Sequence, residues 1–78
     1  MKLSEALRKR IVSLAKEQHI SLHKLSIEAG IPHSTLNSFI NGKCVSPKLV
    51  TLLHICEGLR IELADFFDDP IFDDVEED

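Results

Sequence analysis

A chain of 78 residues has room for one hydrophobic core, and an apolar share of 44% with only three Gly and three Pro excludes disorder throughout. No apolar run approaches the roughly 18 residues of a membrane span. Cys44 and Cys56 lack C-x-x-C spacing and signal neither a disulfide framework nor a zinc site, so a reduced, cytoplasmic protein is expected. The net charge of -4 conceals two unlike segments: residues 1–64 hold all nine Lys and Arg against five acids, a net of +4, whereas residues 65–78 hold eight acids and no base, a net of -8. Exposed charges more than about 10 Å apart are largely screened at 0.1 M salt, so the basic body, not the average, bears on nucleic-acid binding.

Ser4 offers a cap for a first helix whose Leu7, Ile11, Leu14 and Ala15 share one face, with Glu5 well placed in the first turn. Arg8, Lys9, Arg10 and Lys16 occupy the other faces and form, with Lys2, a basic cluster suited to solvation or to phosphate. The helix is expected to stop near Gln18, because Ser21 is a cap for the next one. That cap also separates His19 from His23, which argues against a shared metal ion.

The stretch Ser21 to Gly42 carries two helical periods joined by a glycine: Leu22, Leu25, Ser26 and Ala29, then Leu36, Phe39 and Ile40, with Gly30 supplying a left-handed turn. Two short helices with so tight a turn form a helix-turn-helix. Pro32 suits the start of the second helix, which is expected to run from about Pro32 to Asn41. Its outer face carries His33, Ser34, Asn37 and Ser38, all polar. In a helix-turn-helix that face lies in the DNA major groove: Ser34 and Ser38 bond several bases, Asn37 pairs with adenine, and His33 reaches a base acceptor or a phosphate. No Arg or Gln is present for a strong bidentate contact, so modest sequence discrimination is expected.

Ala29-Gly30-Ile31, Ser34-Thr35-Leu36 and Asn41-Gly42-Lys43 resemble the Cro/lambda-repressor-like (XRE) family of DNA-binding regulators over roughly residues 5–67. The resemblance implies an all-α, compact five-helix DNA-binding domain. It also implies phosphate contacts by Asn41, Lys43 and Lys48. Position 40, often acidic in the family, is Ile here, and with Val45 it would leave an apolar spot beside the loop.

Ser46-Pro47 reads as cap and first residue of a fourth helix with Leu49, Leu52, Leu53, Ile55, Cys56 and Leu59 apolar; Val50 and Leu53 are candidates for a partner subunit. Gly58 is expected to loosen its end. A short fifth helix follows with Ile61, Leu63, Phe66 and Phe67, although Arg60 and Glu62 depart from the residues common in the family. The domain is thus drawn as residues 1–67, with 68–78, DDPIFDDVEED, as an acidic tail that is disordered, packed as an arm on the domain or on a dimer mate, or competing with DNA for the basic face.

No glycine-rich phosphate loop, G-x-S-x-G or H-E-x-x-H occurs, so no catalytic residue and no cofactor is assigned. The expected function is a sequence-specific DNA-binding regulator, a repressor, acting as a homodimer on duplex DNA with no membrane partner. The alternative is a protein-interaction module, such as an antitoxin-like partner, working through the last two helices and the acidic tail.

Overall fold

The computed structural model describes residues 1–44 and 46–78, in which the elements run α1 (Leu3–Glu17), α2 (Leu22–Ala29), α3 (His33–Ile40), α4 (Leu49–Leu59) and α5 (Leu63–Phe67), followed by a 3-10 turn (Pro70–Phe72). The core is built from Leu7, Ile11, Leu14, Leu25, Leu36, Phe39, Leu52, Ile55, Cys56, Leu59 and Phe66, so every helix contributes at least one wholly buried apolar side chain. Burial of these side chains is the dominant favourable contribution in so small a domain.

α1 departs from the expected start. It begins at Leu3, with Lys2 in the capping position but making no side-chain cap bond, and Ser4 lies buried inside the first turn. The cap comes from the far end of the chain: the Asp78 carboxylate accepts the Ser4 backbone N–H at 2.9 Å and the Ser4 hydroxyl as well. A carboxylate there satisfies a backbone donor that has no intrahelical partner and opposes the helix dipole. Those two hydrogen bonds, the hydroxyl's first, hold the Asp78 carboxyl below its ordinary value, and Lys2 and Arg8 add to the effect.

The Ser21 hydroxyl accepts the Lys24 N–H at 3.0 Å, and Gly30 ends α2 at φ 70. Pro32 is not the first residue of α3 but its capping residue: its ψ of 139 is extended, and its carbonyl accepts from Thr35 and Leu36. α3 ends at Ile40, with Asn41 as its C-cap and Gly42 left-handed at φ 80. α4 likewise starts two residues later than Ser46-Pro47 indicates. Lys48 is extended at ψ 149 and its carbonyl takes the first helical bond, from Leu52, so Ser46 caps no helix.

Gly58 does not loosen α4. It is buried where α4 crosses α2, and a Cβ there would stand 2.9 Å from the Ala29 backbone nitrogen. Glycine at this position sets the separation of the two helices. Gly58→Ala should therefore lower stability by about 1–3 kcal/mol, the usual cost of overpacking, measured by urea unfolding; an unchanged midpoint would show that the helices can separate freely. Beyond Gly58, Arg60 takes the left-handed position at φ 61, and the Glu62 N–H donates to Asp65 at 3.2 Å to close the first turn of α5.

Residues 68–78 lie against the body. Asp69 caps the 3-10 turn by accepting the Ile71 N–H at 2.8 Å, and the Phe72 ring lies 6.0 Å from Phe66 and 5.1 Å from Phe67. Glu76 then pairs in parallel with the chain's start: Leu3 N–H donates to the Glu76 carbonyl at 2.9 Å, and Glu76 N–H to the Met1 carbonyl at 3.0 Å. Lys2 meets the Glu76 carboxylate at 3.5 Å.

Candidate nucleic-acid interface

α2 and α3 pack through Leu25, Ala29, Leu36 and Phe39, all buried. The left-handed Gly30 and the half-buried Ile31, whose N–H donates to the Ser26 carbonyl at 3.1 Å, set the angle between them. With Leu36 and Phe39 directed inward, the remaining positions of α3 must turn outward. His33, Ser34 and Asn37 are exposed there, and so is Thr35, which the sequence reading left out. Ser38 is half-buried, and its carbonyl accepts the N–H groups of Lys43 (2.9 Å) and Cys44 (3.3 Å), so it sits at the root of the following turn. Asn41, Lys43 and Lys48 are exposed within and after that turn.

The basic cluster of α1 is divided by the structure. Arg10 faces away from solvent, its guanidinium donating to the Phe66 carbonyl (2.8 Å), the Asp65 carbonyl (2.9 Å) and the Asp69 carboxylate (3.1 Å). Lys2 is paired with Glu76. What remains is Arg8, Lys9 and Lys16, which line an open depression of about 540 Å³ with Glu5, Val12, Ser13 and Ile40. Ile40 is half-buried against the core and lines this depression together with Val12 of α1; the apolar spot expected with Val45 lies outside the described residues. Lys9 is 3.6 Å from Glu5, one helical turn back, an exposed pair of small energetic weight.

His23 is another residue the sequence reading did not place at this face. It is the second residue of α2, and its ring meets that of His33, the first residue of α3, edge to face with centroids 4.9 Å apart. Both are exposed. Ten positions separate them in the chain, and only the turn at Gly30 brings them together.

Among the described residues no group of three or more His, Cys, Asp and Glu is arranged to hold a metal ion. Cys44 is exposed and Cys56 is buried, where desolvation and then Glu57 push its thiol up from its ordinary value. No helix among the described residues is long and apolar enough to cross a membrane.

The sequence model of the Cro/C1-type HTH DNA-binding domain matches residues 10–70. The crystal structure of the prophage Lp1 protein 11 is similar at a TM-score of 0.82 and 29% identity, covering 96% of this chain and 100% of that one. Among curated proteins none matches.

Proposed function

Because the chain belongs to the Cro/C1-type family of HTH DNA-binding domains, we propose that it is a sequence-specific DNA-binding regulator, a cytoplasmic repressor, that reads the major groove with α3. The observation that carries this reading is the division of α3 into a buried apolar face, Leu36 and Phe39, and an exposed polar face with no large apolar group. Ser34 and Asn37 are assigned to base edges, with Ser38 at the margin and His33 at a base acceptor or phosphate. Asn41, Lys43 and Lys48 are assigned to the DNA backbone, where contacts fix register and supply affinity without reading sequence. Residues 68–78 are assigned to a packing arm of the domain, which occupies 1–67.

The regulator is proposed to act as a homodimer, placing two α3 helices in successive major grooves about 34 Å apart on a near-palindromic site. Leu49, Val50 and Leu53 of α4 together with Leu3 and Phe67 stay exposed, and Leu3, Leu49 and Phe67 line one depression with Leu7 and Leu52. A heterologous protein partner, as for an antitoxin, is the second reading that this apolar face supports. Mass determination of the purified chain in solution separates the two: a dimer supports the first, and a monomer that recruits a stoichiometric protein partner supports the second.

Lys43→Ala should weaken binding to every duplex and lower the dependence of log K on log salt by about one unit. Ser34→Ala and Asn37→Ala should change which duplexes are preferred. Gel-shift titration over a salt series measures both, and absence of duplex binding at low salt would defeat the DNA reading.

A further inference from the structure

Two features have no use in DNA reading by α3: the open depression beside α1 and the free acids of residues 68–78. The depression, of about 540 Å³, has the half-buried Val12 and Ile40 as its apolar strip, with Arg8, Lys9 and Lys16 around them. Arg8 and Lys16 enter no ion pair among the described residues, and Lys9 has only its exposed partner Glu5. Cations around an apolar strip suit an acidic segment that also carries apolar side chains, because the strip and the lysine stems are covered as the charges are met. A DNA backbone meets the cations and does little to cover the strip.

The arm is such a segment. Asp69, Glu76 and Asp78 are engaged by Arg10, Lys2 and Ser4, whereas Asp68, Asp73, Asp74 and Glu77 are exposed and have no cationic partner among the described residues. Ile71, Phe72 and Val75, interspersed with these acids, are only half-buried. Among the described residues none of the arm lines the depression of its own chain, because its anchors Ser4 and Arg10 lie on other faces of α1 than Lys9, Val12 and Lys16.

We propose that the acidic arm of one copy of this chain docks in the basic depression of a second copy, head to tail. Residues 1–64 carry a net of +4 and residues 65–78 a net of -8, so two copies attract when arm faces body and repel when arm faces arm. The contact joins unlike surfaces, so each added copy leaves one arm and one depression open, and assembly extends with concentration unless the rotation closes a ring. The face assigned above to the homodimer, with Leu49, Val50 and Leu53, shares no residue with the depression. Being apolar, that face is not weakened by screening of charge, which separates the two contacts by their response to salt.

The test is sedimentation velocity of the purified chain without DNA, over a concentration series at about 0.1 M and about 1 M salt, between which the Debye length falls from roughly 10 Å to roughly 3 Å. Association that grows with concentration is expected at the lower salt and should be about tenfold weaker at the higher, the combined loss of several exposed ion pairs. Lys9→Glu with Lys16→Glu, and separately Asp73→Lys with Asp74→Lys, should each abolish this self-association. Mixing the two variants should restore it, because the first keeps an intact arm and the second an intact depression. Circular dichroism checks that each variant folds. A wild-type mass distribution that is the same at both salts, or a mixture that stays dissociated, would overturn the proposal. So would Lys16→Glu leaving self-association unchanged while lowering the salt slope of DNA binding, which would assign the depression to phosphate instead.

Discussion

Phe66→Ala should remove about 3–5 kcal/mol of folding free energy, the range for deleting a buried aromatic side chain. That is a large share of the roughly 5–15 kcal/mol by which ordinary domains are stable. Phe66 is wholly buried, and it is the common neighbour of two other rings, Phe67 at 5.2 Å and Phe72 at 6.0 Å. Its removal takes the floor from under the 3-10 turn as well as leaving a cavity in the core. Urea unfolding followed by circular dichroism should show a midpoint far below that of wild type, and Phe66→Leu should fall between the two. A loss under about 1 kcal/mol would mean that the arm collapses into the space and that the aromatic cluster is dispensable.

Arg10→Ala should be the next most damaging single change, at about 2–3 kcal/mol, the scale of hydrogen bonds made by a charged group with little access to water. The Arg10 side chain is 13% exposed, and its three bonds join α1 to the end of α5 and to Asp69. Two of the three acceptors are backbone carbonyls at the C-terminal end of α5, where a cation is favoured by the helix dipole. Lys in its place keeps the charge and loses the planar fork, so Arg10→Lys should recover only part of the loss. Arg10→Ala, which removes the charge, separates a structural role from a nucleic-acid role: amide exchange at Ile71 and Phe72 should accelerate, and the salt dependence of DNA binding should not change. A salt slope lowered by about one unit would instead return Arg10 to the phosphate contacts.

The parts of the fold that were legible in sequence are those whose physics is local. Ser21 caps α2 with its own hydroxyl three residues from the N–H it accepts, and Gly30 turns the chain by its own backbone freedom. The inward set Leu25, Ala29, Leu36 and Phe39 follows from helical spacing alone. Ser4 was misread because its hydroxyl looks like a cap, whereas the capping carboxylate lies 74 positions away. Ser46-Pro47 has the composition of a helix start, yet Lys48 stays extended and α4 begins after it. Gly58 was misread because its partner is the Ala29 backbone, on another helix.

The same division holds for the candidate site. Exposure of His33, Ser34 and Asn37 followed from the period of α3, while the half-buried state of Ser38 depends on the turn that folds back onto its carbonyl. The approach of His23 to His33 and the diversion of Arg10 from the basic cluster both depend on how helices pack. Charge counting placed +4 on residues 1–64 without showing which cations remain free.

The contact between Ser4 and Asp78, and the pairing of Leu3 with Glu76, also make the first turn of α1 depend on residues remote in sequence. The first turn of α1 and its capping carboxylate lie 74 positions apart, so the carboxylate is synthesised after every residue between them. Closing a loop of this length carries an entropic cost, so the capping contact depends on the core that holds the intervening residues together. The same segment carries the charge: residues 1–64 hold a net of +4, and residues 65–78, which close the first turn of α1, hold -8.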